Sequence, residues 1–157
     1  MKHYSFDNIM VRHFLTMPDV QDKYNYQDGT HVINVSLDFH EGVKHYVEEK
    51  GGTYDWIPLH ETPQMEVDNQ VHAVQLLSQY ASLGEPIIVH CLFGINRSRT
   101  VVESYYYAKY GEQFEDEYKG FKNHLMYNIA RVFLPPMEEI RKKLFDAGVI
   151  INQYLSK

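Results

Sequence analysis

The sequence contains one cysteine, no long apolar run and no excess of positive charge. A single cysteine cannot form a disulfide within the chain and fits a reducing compartment, in which a thiol stays free. No segment approaches the length that crosses a membrane, and the N-terminus lacks the apolar stretch of a signal peptide, so we expect a cytoplasmic protein without a membrane partner. The net charge of −6 disfavours nucleic acid as a default partner without excluding a local basic patch.

The residues that are present predict one globular α/β domain over residues 1–157. Apolar residues make up 44% of the chain and charged residues 23%, as is typical of folded proteins. Strand and helix patterns alternate, which predicts a central, largely parallel sheet of about four to five strands flanked by helices on both faces. One short strand is expected within 6–14 and others at 31–37, 53–59 and 86–90; helices are expected at 19–24, 41–50, 63–83, 97–110, 112–119, 121–131 and 137–147.

The most informative stretch is 86–100, where an apolar strand pattern precedes Cys91 and a helix pattern begins at Arg97. A strand, a short loop with Gly94 and a helix start direct several backbone N–H groups at one concavity, which favours an anion such as phosphate. A thiol at the rim of this cradle, beside a helix N-terminus and an arginine, ionises more readily than a free thiol. Arg97 can direct its planar fork at two oxygens of an oxyanion, and Ser98 is placed to donate a hydrogen bond to the sulfur.

His90-Cys91, five residues and then Arg97-Ser98 resemble the active-site loop of the cysteine-dependent protein tyrosine phosphatases, and the short chain is most similar to their dual-specificity branch. The resemblance implies hydrolysis of phosphomonoesters in phosphorylated proteins or peptides through a phosphocysteine intermediate, without a cofactor or a metal. It also implies that His90 orients the loop and that the phosphate is held by the loop residues Leu92, Phe93, Gly94, Ile95, Asn96 and Arg97. The alternative is that Cys91 is simply a small buried apolar side chain.

The implied reaction also needs an acid that protonates the leaving oxygen. In the dual-specificity phosphatases this acid is an Asp about thirty residues before the nucleophile, and Glu61 is the carboxyl at that position here. The extra methylene of Glu changes where the proton lies, and alignment matters for proton transfer. His60, another carboxylate or no protein acid at all are the alternatives to Glu61.

The substrate class stays open at this stage. The loop has no lysine, which weakens a similarity to phosphoinositide phosphatases, whose loops commonly carry basic residues. The string Gly-Ile-Asn-Arg at 94–97 also resembles the loop of cysteine-dependent RNA 5′-triphosphatases, so 5′-phosphorylated RNA is the alternative substrate. The acidic net charge and Glu61 count against it. A phosphate-binding pseudophosphatase is a third hypothesis. Arg99 is expected to meet a second phosphate or an acidic segment of the substrate, or else to be a solvated residue of the first helical turn.

Overall fold

The computed structural model describes residues 5–6, 8–60, 67–93 and 97–110, together with Lys142 and Asp146. Within these residues the elements follow the chain as β1 (Ser5–Phe6), β2 (Ile9–Arg12), α1 (Met17–Gln21), β3 (His31–Asn34), α2 (Glu41–Glu49), β4 (Thr53–Trp56), α3 (Val67–Ser82), β5 (Ile87–His90) and α4 (Arg97–Tyr110). The helices expected at 112–119 and 121–131, and nearly all of 137–147, lie outside the described residues.

The five strands form one sheet in the order β1-β2-β5-β3-β4. Strands β2, β5, β3 and β4 are parallel to one another, and only the two-residue β1 runs antiparallel at the edge. The largely parallel sheet predicted from the alternating patterns is therefore confirmed. Because the carboxyl ends of parallel strands meet at one edge of a sheet, the loops that follow β2, β3, β4 and β5 are brought together there.

Helices cover both faces of the sheet, as the sequence predicts. Successive side chains of a strand point to opposite faces, and in β5 Ile87 and Val89 pack with core residues of α3 and α4, whereas Ile88 packs with Val43 and Val47 of α2. Helix α3 contributes the buried side chains Val71, Val74 and Leu77 to the first of these two cores. Burial on both faces explains why the strands are rich in β-branched residues.

The element bounds agree best where a strong stop or start signal is present. Helix α4 spans Arg97–Tyr110, the range expected from the sequence, and α2 and β5 each agree within one residue. Helix α1 begins earlier than the expected 19–24, because the Asp19 carboxylate accepts hydrogen bonds from the Thr16 N–H and hydroxyl at 2.8 Å and closes the first turn.

Strand β3 ends at Asn34, three residues before the predicted end. The Asn34 side chain accepts a hydrogen bond from the Ser36 N–H at 2.9 Å and donates one to the Asp38 carbonyl at 2.8 Å, so it turns the chain immediately. The stretch 6–14 contains one complete strand, β2, as expected, and its first residue, Phe6, ends the two-residue β1. Asn8 adopts a left-handed conformation with φ 63° between these two antiparallel strands.

Candidate active site

Cys91 is the first residue after β5, and its side chain lies below the protein surface. The residue is 1% exposed, and its Sγ lies 3.2 Å from the Oγ of Ser98, which is fully buried in the first turn of α4. The thiol is therefore buried rather than placed at the rim of the loop as expected, because it belongs to the apolar cluster that includes Val101 and Val102 of α4. The expected pairing of the sulfur with Ser98 is present, and a hydroxyl at this distance can donate a hydrogen bond to a thiolate.

Arg97 joins the loop after β5 to the loop after β4. It is the first residue of α4, it is 6% exposed, and its Nη1 donates a hydrogen bond to the Leu59 carbonyl at 3.0 Å. Leu59 is anchored in turn by its N–H, which donates to the Val35 carbonyl at 3.2 Å. The segment that leads into His60 and Glu61 is therefore attached to the same arginine that is predicted to bind phosphate.

His90 is fully buried at the end of β5 and is held loosely by hydrogen bonds. Its Nδ1 lies 3.4 Å from the Cys91 carbonyl oxygen, and its buried Nε2 has no hydrogen-bond partner in the part of the chain that the structure describes. Burial lowers the pKa of His90 from 6.5 to about 4, because a charged ring would lose its hydration there. The ring is therefore neutral at physiological pH, and its link to the loop backbone is one long contact.

A further support for the loop comes from Phe14, which the sequence analysis did not identify. The Phe14 N–H donates to the Leu92 carbonyl at 3.0 Å, and its ring meets the His90 ring edge-on with 5.2 Å between centroids. This contact extends the pairing of β2 with β5 beyond Arg12 and His90, the last residues in register. No sequence pattern signals it, because it depends on the order of the strands in the sheet.

The first turn of α4 is buried rather than solvated. Arg99 is 3% exposed and Thr100 is fully buried. The expectation of a solvated Arg99 is wrong, because α4 passes through the core with polar as well as apolar side chains enclosed. Ser104, one turn later, is also buried and donates its hydroxyl to the Thr100 carbonyl at 2.7 Å.

The structure describes some of the remaining predicted site residues and not others. Leu92 and Phe93 are exposed at the start of the loop, and His60 is exposed after Leu59. Gly94, Ile95 and Asn96, which are predicted to hold phosphate, and Glu61, the predicted acid, lie outside the described residues. Their roles stay predictions.

The described part of the chain has neither a metal-binding cluster nor a membrane-spanning helix. Among those residues no three His, Cys, Asp or Glu side chains converge as metal ligands would. None of the helices described is long and apolar enough to cross a membrane.

Comparison with known proteins identifies the family of the chain. The family described as dual specificity phosphatase, catalytic domain, matches residues 15–142, and the chain belongs to this family. Dual specificity protein phosphatase 26 of Mus musculus is 27% identical over 117 residues, which cover 73% of this chain and 56% of that protein. The chain thus spans little more than half the length of this curated relative.

Solved structures of phosphatases share the fold. DUSP15 superposes with a TM-score of 0.62 at 19% identity and covers 98% of this chain and 91% of its own. PTPMT1 in complex with PI(5)P reaches a TM-score of 0.69 at 15% identity, with 91% and 96% covered. TpbA of P. aeruginosa gives 0.62 at 16% identity, with 89% and 88% covered. The predicted protein tyrosine phosphatase-like fold is confirmed.

Proposed function

We propose that this chain is a cysteine-dependent phosphatase that removes phosphate from proteins, chiefly from phosphotyrosine and also from phosphoserine and phosphothreonine. The observation that carries the proposal is the contact between Cys91 and Ser98 beneath a helix start headed by Arg97, in a chain of the dual-specificity family. We further propose that residues 1–157 act as one catalytic domain in the cytoplasm, where the single thiol stays reduced.

The first chemical step transfers the phosphoryl group to sulfur. The Cys91 thiolate attacks phosphorus in line, an S–P bond forms, and the bond to the leaving oxygen breaks as Glu61 gives that oxygen a proton. Arg97 and the loop N–H groups stabilise the three equatorial oxygens.

The second step returns the enzyme to its starting state. Water attacks the phosphocysteine, Glu61 takes a proton from that water, and the S–P bond breaks to release inorganic phosphate. The Ser98 hydroxyl then donates a hydrogen bond to the thiolate that leaves, which stabilises the buried negative charge. No step requires a metal or an organic cofactor.

A substrate panel tests the proposed function. A small aryl phosphate, a phosphotyrosine peptide, a phosphothreonine peptide, 5′-triphosphate RNA and a phosphoinositide are offered to the wild type and to Cys91→Ser. We expect turnover of the aryl phosphate and the peptides, and none with Cys91→Ser. A preference of about a hundredfold for RNA or for the lipid would overturn the assignment to protein substrates.

Alkylation distinguishes the proposed enzyme from two alternatives without activity, a buried apolar cysteine and a phosphate-binding pseudophosphatase. We expect iodoacetate to modify Cys91 in the folded protein and inorganic phosphate to slow the reaction, because both anions compete for one site. Resistance to iodoacetate together with no turnover would favour the buried apolar cysteine. Phosphate protection without turnover would favour the phosphate-binding pseudophosphatase.

A further inference from the structure

Three large apolar side chains are exposed at the carboxyl edge of the sheet, and two of them are in contact. Leu37 is 47% exposed, Phe39 43% and Trp56 44%, and the rings of Phe39 and Trp56 lie 5.3 Å apart between centroids. We name these three residues the edge patch. Single exposed apolar residues are common on protein surfaces, but adjacent ones mark binding surfaces more often.

The edge patch is held in a fixed shape by hydrogen bonds beneath it. The Trp56 Nε1 donates to the Ser36 carbonyl at 2.9 Å, so the indole cannot rotate freely. Ser36 donates its hydroxyl to the Asn34 side chain at 2.7 Å, and Asn34 donates to the Asp38 carbonyl at 2.8 Å. A surface that is already ordered loses little conformational freedom on binding, which favours affinity.

The strand register gives the distance from the edge patch to the candidate active site. Trp56 is in register with Asn34, and Asn34 is in register with His90, the residue before Cys91. Two strand spacings therefore separate the backbone of Trp56 from that of His90 at the end of β5, which amounts to about 10 Å. An extended peptide covers that distance in about three residues, at roughly 3.3–3.6 Å for each.

The charges beside the edge patch indicate which kind of chain would bind there. Asp38 lies between Leu37 and Phe39, Glu41 opens the next helix, and both acidic residues are exposed. These carboxylates favour a basic side chain and repel the phosphates of RNA or of an anionic lipid surface. Together with the apolar rings, they match a peptide that carries a large apolar residue next to a lysine or arginine.

We propose that the edge patch binds a large apolar side chain about three residues from the phosphorylated residue of a protein substrate, with a basic residue beside it. The proposal rests on the proposed function and adds a sequence preference to it. The rings of Phe39 and Trp56 supply the apolar contact, and Asp38 and Glu41 supply the charge.

The chain provides its own reporter for this contact, because Trp56 is the only tryptophan. Two phosphotyrosine peptides are titrated into Cys91→Ser protein. They differ only at the position three residues from the phosphotyrosine, which is leucine in one peptide and serine in the other. The pair is made once with this position before the phosphotyrosine and once with it after. In one of the two pairs, we expect the leucine peptide to shift the Trp56 emission to the blue and to bind about tenfold more tightly than the serine peptide. Equal binding with no shift would overturn the proposal.

A pair of variants locates the effect. Phe39→Ser should reduce the wild-type preference for the leucine peptide, measured as a ratio of kcat/KM values, from about tenfold to about one. Tyr24→Ser is the matched control, because Tyr24 is an aromatic residue that is 99% exposed in the loop before β3, and it should keep the ratio. Both rates are measured on one sample, so the ratio does not depend on the folded fraction.

The outcomes separate this proposal from the proposed function. If the wild type hydrolyses both peptides equally, the edge patch proposal fails while the phosphatase proposal stands. If neither peptide nor the aryl phosphate is hydrolysed but the leucine peptide still shifts the Trp56 emission, the phosphatase proposal fails while peptide binding at the edge patch is retained. An emission that shifts with protein concentration alone would show that a second copy covers the edge patch, and that result would overturn the proposal.

Discussion

A histidine is buried at each end of the parallel sheet, and the two rings differ in their hydrogen bonds. At the amino end, His31 has partners for both ring nitrogens: Nδ1 lies 2.8 Å from the Thr53 hydroxyl and Nε2 3.3 Å from a Glu85 carboxylate oxygen. Its ring also stacks on Tyr80 with 4.2 Å between centroids. At the carboxyl end, the His90 ring has one hydrogen-bond contact, of 3.4 Å, and its second nitrogen has no hydrogen-bond partner among the described residues.

The difference teaches which end maintains the fold and which end is adapted to chemistry. A buried polar group with partners adds stability, whereas one without them reduces it. The amino end therefore stabilises the sheet, and the carboxyl end keeps the His90 ring buried beside Cys91 at a cost in stability. Substitutions at the carboxyl end should change rates and pH dependence, and substitutions at the amino end should change stability alone.

The largest effect is expected from Arg97→Lys at the carboxyl end. A lysine keeps the charge but cannot bind two phosphate oxygens with a planar fork, so kcat for a phosphopeptide should fall about a thousandfold. Steady-state kinetics on the folded variant measures it. A rate within tenfold of the wild type would contradict a direct role for the guanidinium.

The next effect is expected from Glu61→Gln, which removes the proposed acid. The rate for a peptide substrate should fall about a hundredfold, and its decline as pH rises from acidic to neutral should flatten, because that decline reports loss of the acid's proton. The pH–rate profile of His60→Gln is the matched control and should keep its shape. A flattened profile for His60→Gln alone would transfer the role to His60.

A stability effect that depends on pH is expected from His90. Its pKa is about 4 in the folded protein against 6.5 in the unfolded chain, so between these values the unfolded chain binds more protons. The free energy of unfolding therefore keeps its full contribution from neutral His90 above pH 6.5. As pH falls below that value this contribution is lost, by about 2 kcal/mol at pH 5. His90→Asn lacks this group, so its free energy of unfolding in urea should fall less between pH 7 and pH 5. Equal falls in both proteins would contradict the burial of a neutral His90.

The smallest effect is expected from Tyr80→Phe at the amino end. The Tyr80 hydroxyl donates to the Asp55 carboxylate at 2.6 Å, and its loss should lower the free energy of unfolding by about 1 kcal/mol. Urea unfolding measures the change, and kcat/KM for a phosphopeptide should remain within twofold of the wild type. A larger change in kcat/KM than in stability would remove the contrast between the two ends.

Much of the framework around the loop is predictable from local signals. Helix α4 is predicted over its full length because an apolar pattern begins after the loop and a glycine follows Tyr110. The buried face of α3 is predicted because Val71, Val74 and Leu77 recur at helical spacing. Such signals depend only on neighbours in the chain, so they are readable without the fold.

Contacts between distant parts of the chain are not predictable in this way. The bond from Arg97 to Leu59 joins residues 38 positions apart, and the bond from Phe14 to Leu92 spans a still longer interval. Both depend on which strands are neighbours in the sheet. The burial of Cys91 is also not predictable from local sequence, because it depends on how α4 packs against β5.

The most direct test of the central claim is to trap the intermediate on Cys91. Wild-type protein is mixed with an aryl phosphate, quenched within one turnover and analysed by peptide mass spectrometry. We predict one added phosphoryl group on the sulfur of Cys91, and none when Cys91→Ser is treated in the same way. Turnover with no phosphocysteine, or with the group on another residue, would contradict the account.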